Sequence, residues 1–302
     1  MPDLIAAMDG ALTAFSSGEV VQPVRSVLDL ADRHAFFGLM PAYLAATPQL
    51  GAKLGAKLVS VYHSNLERGL PSHLATIVLF DPETGALEAI LDGRYITEVR
   101  TAAVSAVSAK KLARADAATL AILGSGVQAR SHVEALRHVR SFREIRAWSP
   151  TRVNLEKFTA EFGARAMDSA ESAVRGADVV VLATASSTPA IDNAWVADGA
   201  HVISVGACRP TQQEMDPVLV KRSRLFVDSR AAALKESGDV IAAGEAHIIA
   251  ELGEAELGEA AAARKTPGEL TVFKSLGLAV EDVVAAHLAL QRARERGIGK
   301  TI

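Results

Sequence analysis

Residues 119–136 read TLAILGSGVQARSHVEAL, and this stretch decides the fold. Residues 119–123 are a short apolar run with the length of a buried strand. Gly124, Gly126 and Ala129 follow as G-x-G-x-x-A, and Val133, Leu136 and Val139 then recur at helical spacing. Strand, glycine turn and helix make the opening unit of a dinucleotide-binding domain. Gly124 permits a turn that a Cβ would obstruct. Gly126 lets the backbone approach a pyrophosphate, and Ala129 lets the helix pack near the strand. The helix N-terminus then offers free N–H groups and a partial positive charge to the phosphates. Alone, such a motif is weak, because a structural glycine turn has the same letters. Its place between a strand and a helix favours the nucleotide.

Downstream, the pattern continues as β-α-β-α. REIRAWSP is a second strand, TRVNLEKFTAEFG a helix ending at Gly163, SAESAVRGA a short helix and DVVVLAT a buried strand. HVISVGA and SRLFVDS are two further strands. This alternation predicts a parallel sheet covered by helices. Residues 228–265 read as helical and acidic, with the doubled ELGE as a solvated face. TPGELTVFKSLG returns to strand and loop, and AVEDVVAAHLALQRARERG is a terminal helix.

Upstream, residues 4–15 read as a short amphipathic helix, followed by strands around SVLDL, 35–43, the run after the tandem GAKL, and 73–80. DPETG is a turn, and ALEAILDGRYI completes a hairpin. Residues 97–112 form a small-residue helix with Thr97 as N-cap and Lys110 and Lys111 at its C-terminus. The first region is thus antiparallel α+β. A terminal helix after a complete nucleotide domain is expected to pack back on the first domain. The predicted division is 1–112 plus 277–302, and 113–276.

The chain has 302 residues, a length that suits two domains. Aromatics are only 5% and the net charge is -3, which disfavours base-stacking surfaces and polyanion partners. One cysteine, Cys208, excludes an internal disulfide and fits a reducing compartment. No signal-peptide pattern and no membrane-length apolar run is present, so the expected location is the cytoplasm.

The second strand of the nucleotide unit ends in Trp148-Ser149-Pro150-Thr151-Arg152, with no acid for a ribose 2′-OH. Two hydroxyls and an arginine suit a 2′-phosphate, so NADP(H) is expected over NAD(H). The plainer alternative is that Ser149 and Thr151 cap the next helix and Arg152 is solvated. Arg25, Lys57 and Arg100 are the bases whose settings look least like open surface. Converging, they would clamp a carboxylate, with Lys57 as a tunable proton donor; singly, each is more simply a snorkelling edge residue. Lys53 lies four residues from Lys57. His73 could serve as a general acid, but at a strand start it reads more simply as a hydrogen-bonded structural histidine. Cys208 follows a strand at the switch-point edge of the sheet, and nothing nearby marks it as a nucleophile. No metal-ligand spacing occurs; His132 and His138 fall on different helix faces.

QPVR (22–25), GLMPAY (38–43), GAKLVSVY (55–62), RTAAVSA (100–106), LGSGVQA (123–129), ALKESGDV (233–240) and TVFKSLGLAVED (271–282) together resemble the ornithine cyclodeaminase / mu-crystallin family, and most its ketimine reductase branch. The resemblance implies an α/β protein, a Rossmann domain plus an α+β substrate-binding domain that dimerises through its sheet. It implies that Lys57 is the active-site lysine, that Arg25 and Arg100 bind the substrate carboxylate, and that Thr101, Cys208 and Arg209 lie beside it. Gly124, Gly126, Val127, Gln128 and Ala129 would hold the pyrophosphate, and Ser149, Thr151 and Arg152 the 2′-phosphate. Thr184, Val205, Ser275 and Leu276 would complete the cofactor site.

Two positions depart from the deaminases. Cys208 and Gly38 stand where true ornithine cyclodeaminases carry acids that handle the second amine, which counts against ornithine. The N-terminus is expected to lack the family's usual first strand. The expected activity is NAD(P)H-dependent reduction of a cyclic ketimine carboxylate, Δ1-pyrroline-2-carboxylate or Δ1-piperideine-2-carboxylate, in a homodimer. The alternatives are an ornithine cyclodeaminase-type lyase, an alanine dehydrogenase-type enzyme, and a binder that holds NADPH without turnover.

Overall fold

The computed structural model describes residues 1–244, 247–257 and 263–300. The chain divides into two compact units, one of Met1–Ile5 with Thr101–Gly277, the other of Ala6–Arg100 with Leu278–Ile302. The division falls inside a helix rather than after it.

The second unit opens with α1 (Pro2–Ser16), most of which belongs to it. Its strands are β1 (Val20–Val21), β2 (Ser26–Leu30), β3 (Ala35–Leu44), β4 (Lys53–Tyr62), β5 (His73–Phe80) and β6 (Leu87–Asp92). They form one antiparallel sheet in the order β1-β3-β4-β5-β6, with β2 also paired to β3. β3 and β4 are long and alternate in burial, as strands with one covered face do. α2 (Gly93–Leu112) follows β6 directly. The predicted start at Thr97 is therefore late. Asp92 accepts the Arg94 N–H at 2.7 Å and starts the helix four residues earlier. Thr97 lies inside it, its hydroxyl donating to the Gly93 carbonyl at 2.7 Å. The segment GRYI is thus helix, not the end of a hairpin.

The first unit holds β7 (Thr119–Leu123), α3 (Val127–Leu136), β8 (Glu144–Trp148), α4 (Arg152–Phe162), β9 (Arg165–Ala166), α5 (Ala170–Val174), β10 (Val179–Leu182), β11 (His201–Ser204), α6 (Pro217–Arg222), β12 (Arg224–Val227), α7 (Arg230–Glu236), α8 (Gly238–Ala242), β13 (Ile248–Glu251) and β14 (Thr271–Lys274). Among the described residues this is an 8-stranded, wholly parallel sheet in the order β13-β12-β14-β11-β10-β7-β8-β9. It is a Rossmann-type, doubly wound sheet, with the strand order reversing between β7 and β10. The central strands β10, β11 and β14 are buried at every position, as strands covered on both faces must be.

The acidic stretch expected as one helix is instead α7, α8 and β13. Ala and Glu favour helix locally, but pairing of β13 with β12 overrides that preference. Its residues 245–246 and 258–262, including part of the second ELGE, lie outside the described residues.

The last helix, α9 (Ala279–Glu295), packs on β3, β4 and β5. Gly55 permits this approach: a Cβ there would meet Val283 Cγ2 at 3.2 Å and the Val78 carbonyl at 2.7 Å. No helix among the described residues is long and apolar enough to cross a membrane.

Candidate active site

In the sheet unit, β4 sits between β3 and β5, and Lys57 pairs with Met40 on one side and Ile77 on the other. Strand alternation turns Lys57 to the face that α9 covers. Its side chain is buried, and Nζ lies 2.5 Å from Asp282 Oδ2 in the first turn of α9. Arg100, on α2, reaches the same carboxylate: Nε donates to Asp282 Oδ1 at 2.8 Å, and a second nitrogen donates to Glu281 Oε2 at 2.9 Å. Charges this deep require partners, and here each has one.

Burial lowers the Lys57 ammonium from 10.5 to about 8; Asp282 opposes that shift, and the Arg100 and Arg25 charges reinforce it. Burial acts against the Asp282 carboxylate too, but Arg100 and Lys57 outweigh it and hold Asp282 below the ordinary range. His73 opens β5 on the same face as Lys57. Burial, followed by the Lys57 and Arg100 charges, pushes it down to about 4. It is therefore neutral at working pH. Arg25 is half-buried in the segment between β1 and β2. Arg25, Lys57 and Arg100 against Glu281 and Asp282 leave one positive charge in the cluster.

The structure thus brings Lys57 and Arg100 together, with Arg25 close enough to bias the lysine. Thr101 follows Arg100 on α2 and is buried. Lys53 shares the strand face but is set with Glu88 and His287. Glu281 and Asp282 join the cluster without a role expected from the sequence, and His73, expected as a structural histidine, lies on the same sheet face. The available signal was an acid pair flanked by apolar residues in LAVEDVVAAHLAL. Gly38 lies in β3, where even a Cβ would press on Val59 Cγ1 at 3.0 Å; no larger side chain fits without movement.

In the nucleotide unit, Gly124 has φ +115°, and a Cβ there would stand 2.5 Å from the Ala183 carbonyl. Gly126 is the N-cap of α3, so no side chain competes for the first N–H groups. A Cβ at Gly126 would meet no atom of the described residues within 4 Å. Val127 is exposed, Gln128 half-buried and Ala129 fully buried. That is an open, donor-lined cradle, and it fits a pyrophosphate.

Ser149 does not cap α4; it accepts from Ser125 Oγ at 3.0 Å and ties the end of β8 to the glycine turn. Thr151 is the N-cap of α4 but makes no side-chain cap bond. Arg152 is exposed and pairs with Glu156 at 2.8 Å. Thr184 follows β10 and binds Glu214 through both its N–H and its hydroxyl. Val205 is buried after β11, and its carbonyl accepts the Cys208 thiol at 3.3 Å. β11 is one strand removed from the β7–β10 reversal, so Cys208 lies beyond the switch point rather than at it. Arg209 is half-buried, its carbonyl receiving the Gln212 and Gly238 N–H groups. Ser275 and Leu276 are held at the end of β14 by Asp228, which accepts the Leu276 N–H at 2.6 Å.

A profile of the ornithine cyclodeaminase/mu-crystallin family matches residues 1–297. The chain belongs to that family. Ketimine reductase mu-crystallin of Mus musculus is 47% identical over 291 residues, covering 94% of this chain and 90% of its own length. A solved structure of Thermococcus litoralis Δ1-pyrroline-2-carboxylate reductase in complex with NADH and L-proline matches with a TM-score of 0.92 and 35% identity, covering 100% of this chain and 96% of that one. An archaeal alanine dehydrogenase dimer with bound NAD matches with a TM-score of 0.91 and 30% identity, covering 100% of this chain and 94% of that one.

Proposed function

We propose that this member of the family is an NAD(P)H-dependent reductase of cyclic ketimine carboxylates, Δ1-pyrroline-2-carboxylate or Δ1-piperideine-2-carboxylate. The buried Lys57–Asp282–Arg100 cluster carries the reading. When bound, a reduced nicotinamide supplies the hydride. Arg25 and Arg100 hold the substrate carboxylate and so orient the C=N carbon. Lys57, softened to about 8, gives its proton to the imine nitrogen, which makes that carbon more electrophilic. Asp282 keeps the lysine charged and aimed. His73, neutral, adds no positive charge that would repel an iminium. Cys208 supplies no carboxylate for the water and amine steps of deamination.

The test is a substrate panel. Each cyclic imine, pyruvate with ammonia, and ornithine are incubated with cofactor, following loss of reduced nicotinamide and release of ammonia. Imine reduction supports the reading. Ammonia from ornithine, turnover only with pyruvate, or silence with tight NADPH binding would replace it by the lyase, the alanine dehydrogenase or the binder. Lys57→Ala is expected to lower kcat by about 10²–10⁴-fold with normal cofactor affinity.

For the cofactor we infer NADP(H) over NAD(H), from Ser149, Thr151 and Arg152 and the lack of an acid at the end of β8. Arg152 must then exchange Glu156 for the phosphate, which an exposed i,i+4 pair permits because such pairs are weak. Arg152→Ala is expected to reduce the NADPH to NADH preference in kcat/KM at least tenfold; an unchanged ratio would refute the phosphate role.

A further inference from the structure

A second cluster of buried charge lies at the strand ends of the nucleotide unit. Glu214, Asp239 and Lys274 are all 0% exposed. Glu214 stands between β11 and α6, and its carboxylate accepts five hydrogen bonds. Oε1 receives the Thr184 N–H at 2.7 Å and the Thr184 hydroxyl at 2.8 Å. Oε2 receives the N–H groups of Gly206 at 2.9 Å and Ala207 at 3.2 Å, and the Ser204 hydroxyl at 2.9 Å. Lys274, the last residue of β14, donates to Ser204 Oγ at 2.9 Å and to the Ala207 carbonyl at 2.6 Å, and pairs with Asp239 at 3.0 Å. Asp239 in turn accepts the N–H groups of Glu214 and Met215 at 2.8 Å each.

One carboxylate therefore stitches together the turns that leave two adjacent strands. Thr184 follows β10, and Gly206 and Ala207 follow β11. The turns are in backbone contact: a Cβ on Gly206 would run into the Thr184 carbonyl. Two carboxylates against one lysine leave a net negative charge in a dry interior. For stability alone, well-packed apolar residues serve as well or better than such a group. What Glu214 provides is a fixed direction for three backbone N–H groups and two hydroxyls.

Those turns have a definite place in a doubly wound sheet. The glycine turn after β7 takes the pyrophosphate, and the two mononucleotide halves lie on either side of the strand-order reversal. The reversal is between β7 and β10. The adenosine half therefore belongs to the β7–β8 side, and the nicotinamide half to the ends of β10, β11 and β14. Resting on the dinucleotide reading above, we propose that Glu214, braced by Lys274 and Asp239, is a positioning residue that sets the Thr184 and Gly206–Ala207 turns as the seat of the nicotinamide half.

Calorimetric titration with two probes tests this: NADPH, and 2′-phospho-ADP-ribose, which lacks the nicotinamide. Glu214→Gln keeps the size of the side chain but turns an amide NH₂ toward donors. It is expected to weaken NADPH binding tenfold or more while leaving the truncated probe within twofold of wild type. Ser204→Ala removes one donor to Glu214 and one acceptor from Lys274 without changing charge; it is expected to weaken NADPH alone, by about three- to tenfold. Equal weakening of both probes in either folded variant would show a merely structural role and overturn the proposal, as would unchanged NADPH binding. If Glu214→Gln does not fold, Ser204→Ala decides by the same criteria. Failure of the wild-type chain to bind either probe would instead overturn the cofactor reading itself.

Discussion

At the scale of single residues, Lys57 and Asp282 are one device. A proton donor works only while protonated, so with Lys57 near 8 the rate should be full below that pH and fall above it. Asp282 is the neighbour that raises the lysine against burial. Removing its charge in Asp282→Asn should lower the lysine further and move the alkaline limb of the kcat/KM profile to lower pH by about one unit, where each unit reflects about 1.4 kcal/mol. Activity at pH 8.5 should then drop more than activity at pH 6.5. The substitution also strips Arg100 of a partner, and breaking a buried pair costs about 3–5 kcal/mol, so stability must be followed in parallel. A folded variant whose alkaline limb does not move would remove Lys57 from the role of acid.

At the scale of elements, the strand–turn–helix of β7 and α3 depends on Gly124. Its φ of +115° strains any other residue, and its Cβ would stand 2.5 Å from the Ala183 carbonyl on the neighbouring β10. Gly124→Ala should cost about 1–3 kcal/mol in backbone strain alone and weaken dinucleotide binding at least tenfold; wild-type affinity by fluorescence titration would contradict the cradle. This element was legible because its chemistry is local: the motif names its own turn. Lys57 and Arg100 were visible for a similar reason, as bases in apolar or alanine-rich settings. Asp282 was not, because acids in a first helical turn normally serve the helix dipole, and only the placement of α9 on β4 turns this one onto a lysine more than two hundred residues away in sequence. β13 was hidden by helix-forming residues whose pairing partner, β12, is set by tertiary structure. The start of α2 was misplaced because Thr97 imitates an N-cap while Asp92 performs that function.

At the scale of the whole molecule, two features lead to testable expectations. The sheet face opposite Lys57 carries Leu28, Leu39, Tyr43, Leu74 and Ile90, each at least 39% exposed. Register places them together: Leu28 opposes Phe37, which shares a cross-sheet row with Ser60 and Leu74. Exposed apolar side chains gathered on one sheet face suit contact with a second copy of the chain. We propose a homodimer through it. Leu39→Glu with Leu74→Glu should yield monomers by light scattering, whereas a wild-type chain already monomeric at micromolar concentration would refute it. The second feature is acid sensitivity. His132 donates from Nδ1 to the Gln128 carbonyl and meets the Ser105 hydroxyl through Nε2, and His201 lies between the Thr271 and Ser108 hydroxyls. Burial pushes His132 down to about 4 and His201 to about 3. Above pH 6.5 both are neutral, folded or unfolded, and cost nothing. Below it the unfolded chain takes protons that the fold excludes, so stability falls with pH until the folded values are reached. Each histidine contributes about 1.4 kcal/mol per pH unit across that window, roughly 3 kcal/mol for His132, against a typical total of about 5–15 kcal/mol. Asp282, on which Arg100 and Lys57 outweigh burial, adds a loss of the same sign at more acid pH, whereas Glu214, pushed up by burial, opposes the histidine loss in the less acid part of the window. Both tryptophans, Trp148 and Trp195, belong to the nucleotide unit that holds the two histidines, so their fluorescence reports its unfolding. Denaturant midpoints by that signal should fall steadily from pH 6.5 to 4, and His201→Gln should flatten the slope by about one proton. A flat wild-type profile would mean that the two histidines are charged in the fold, and the serine-anchored network between α2, α3 and β11 would have to be redrawn.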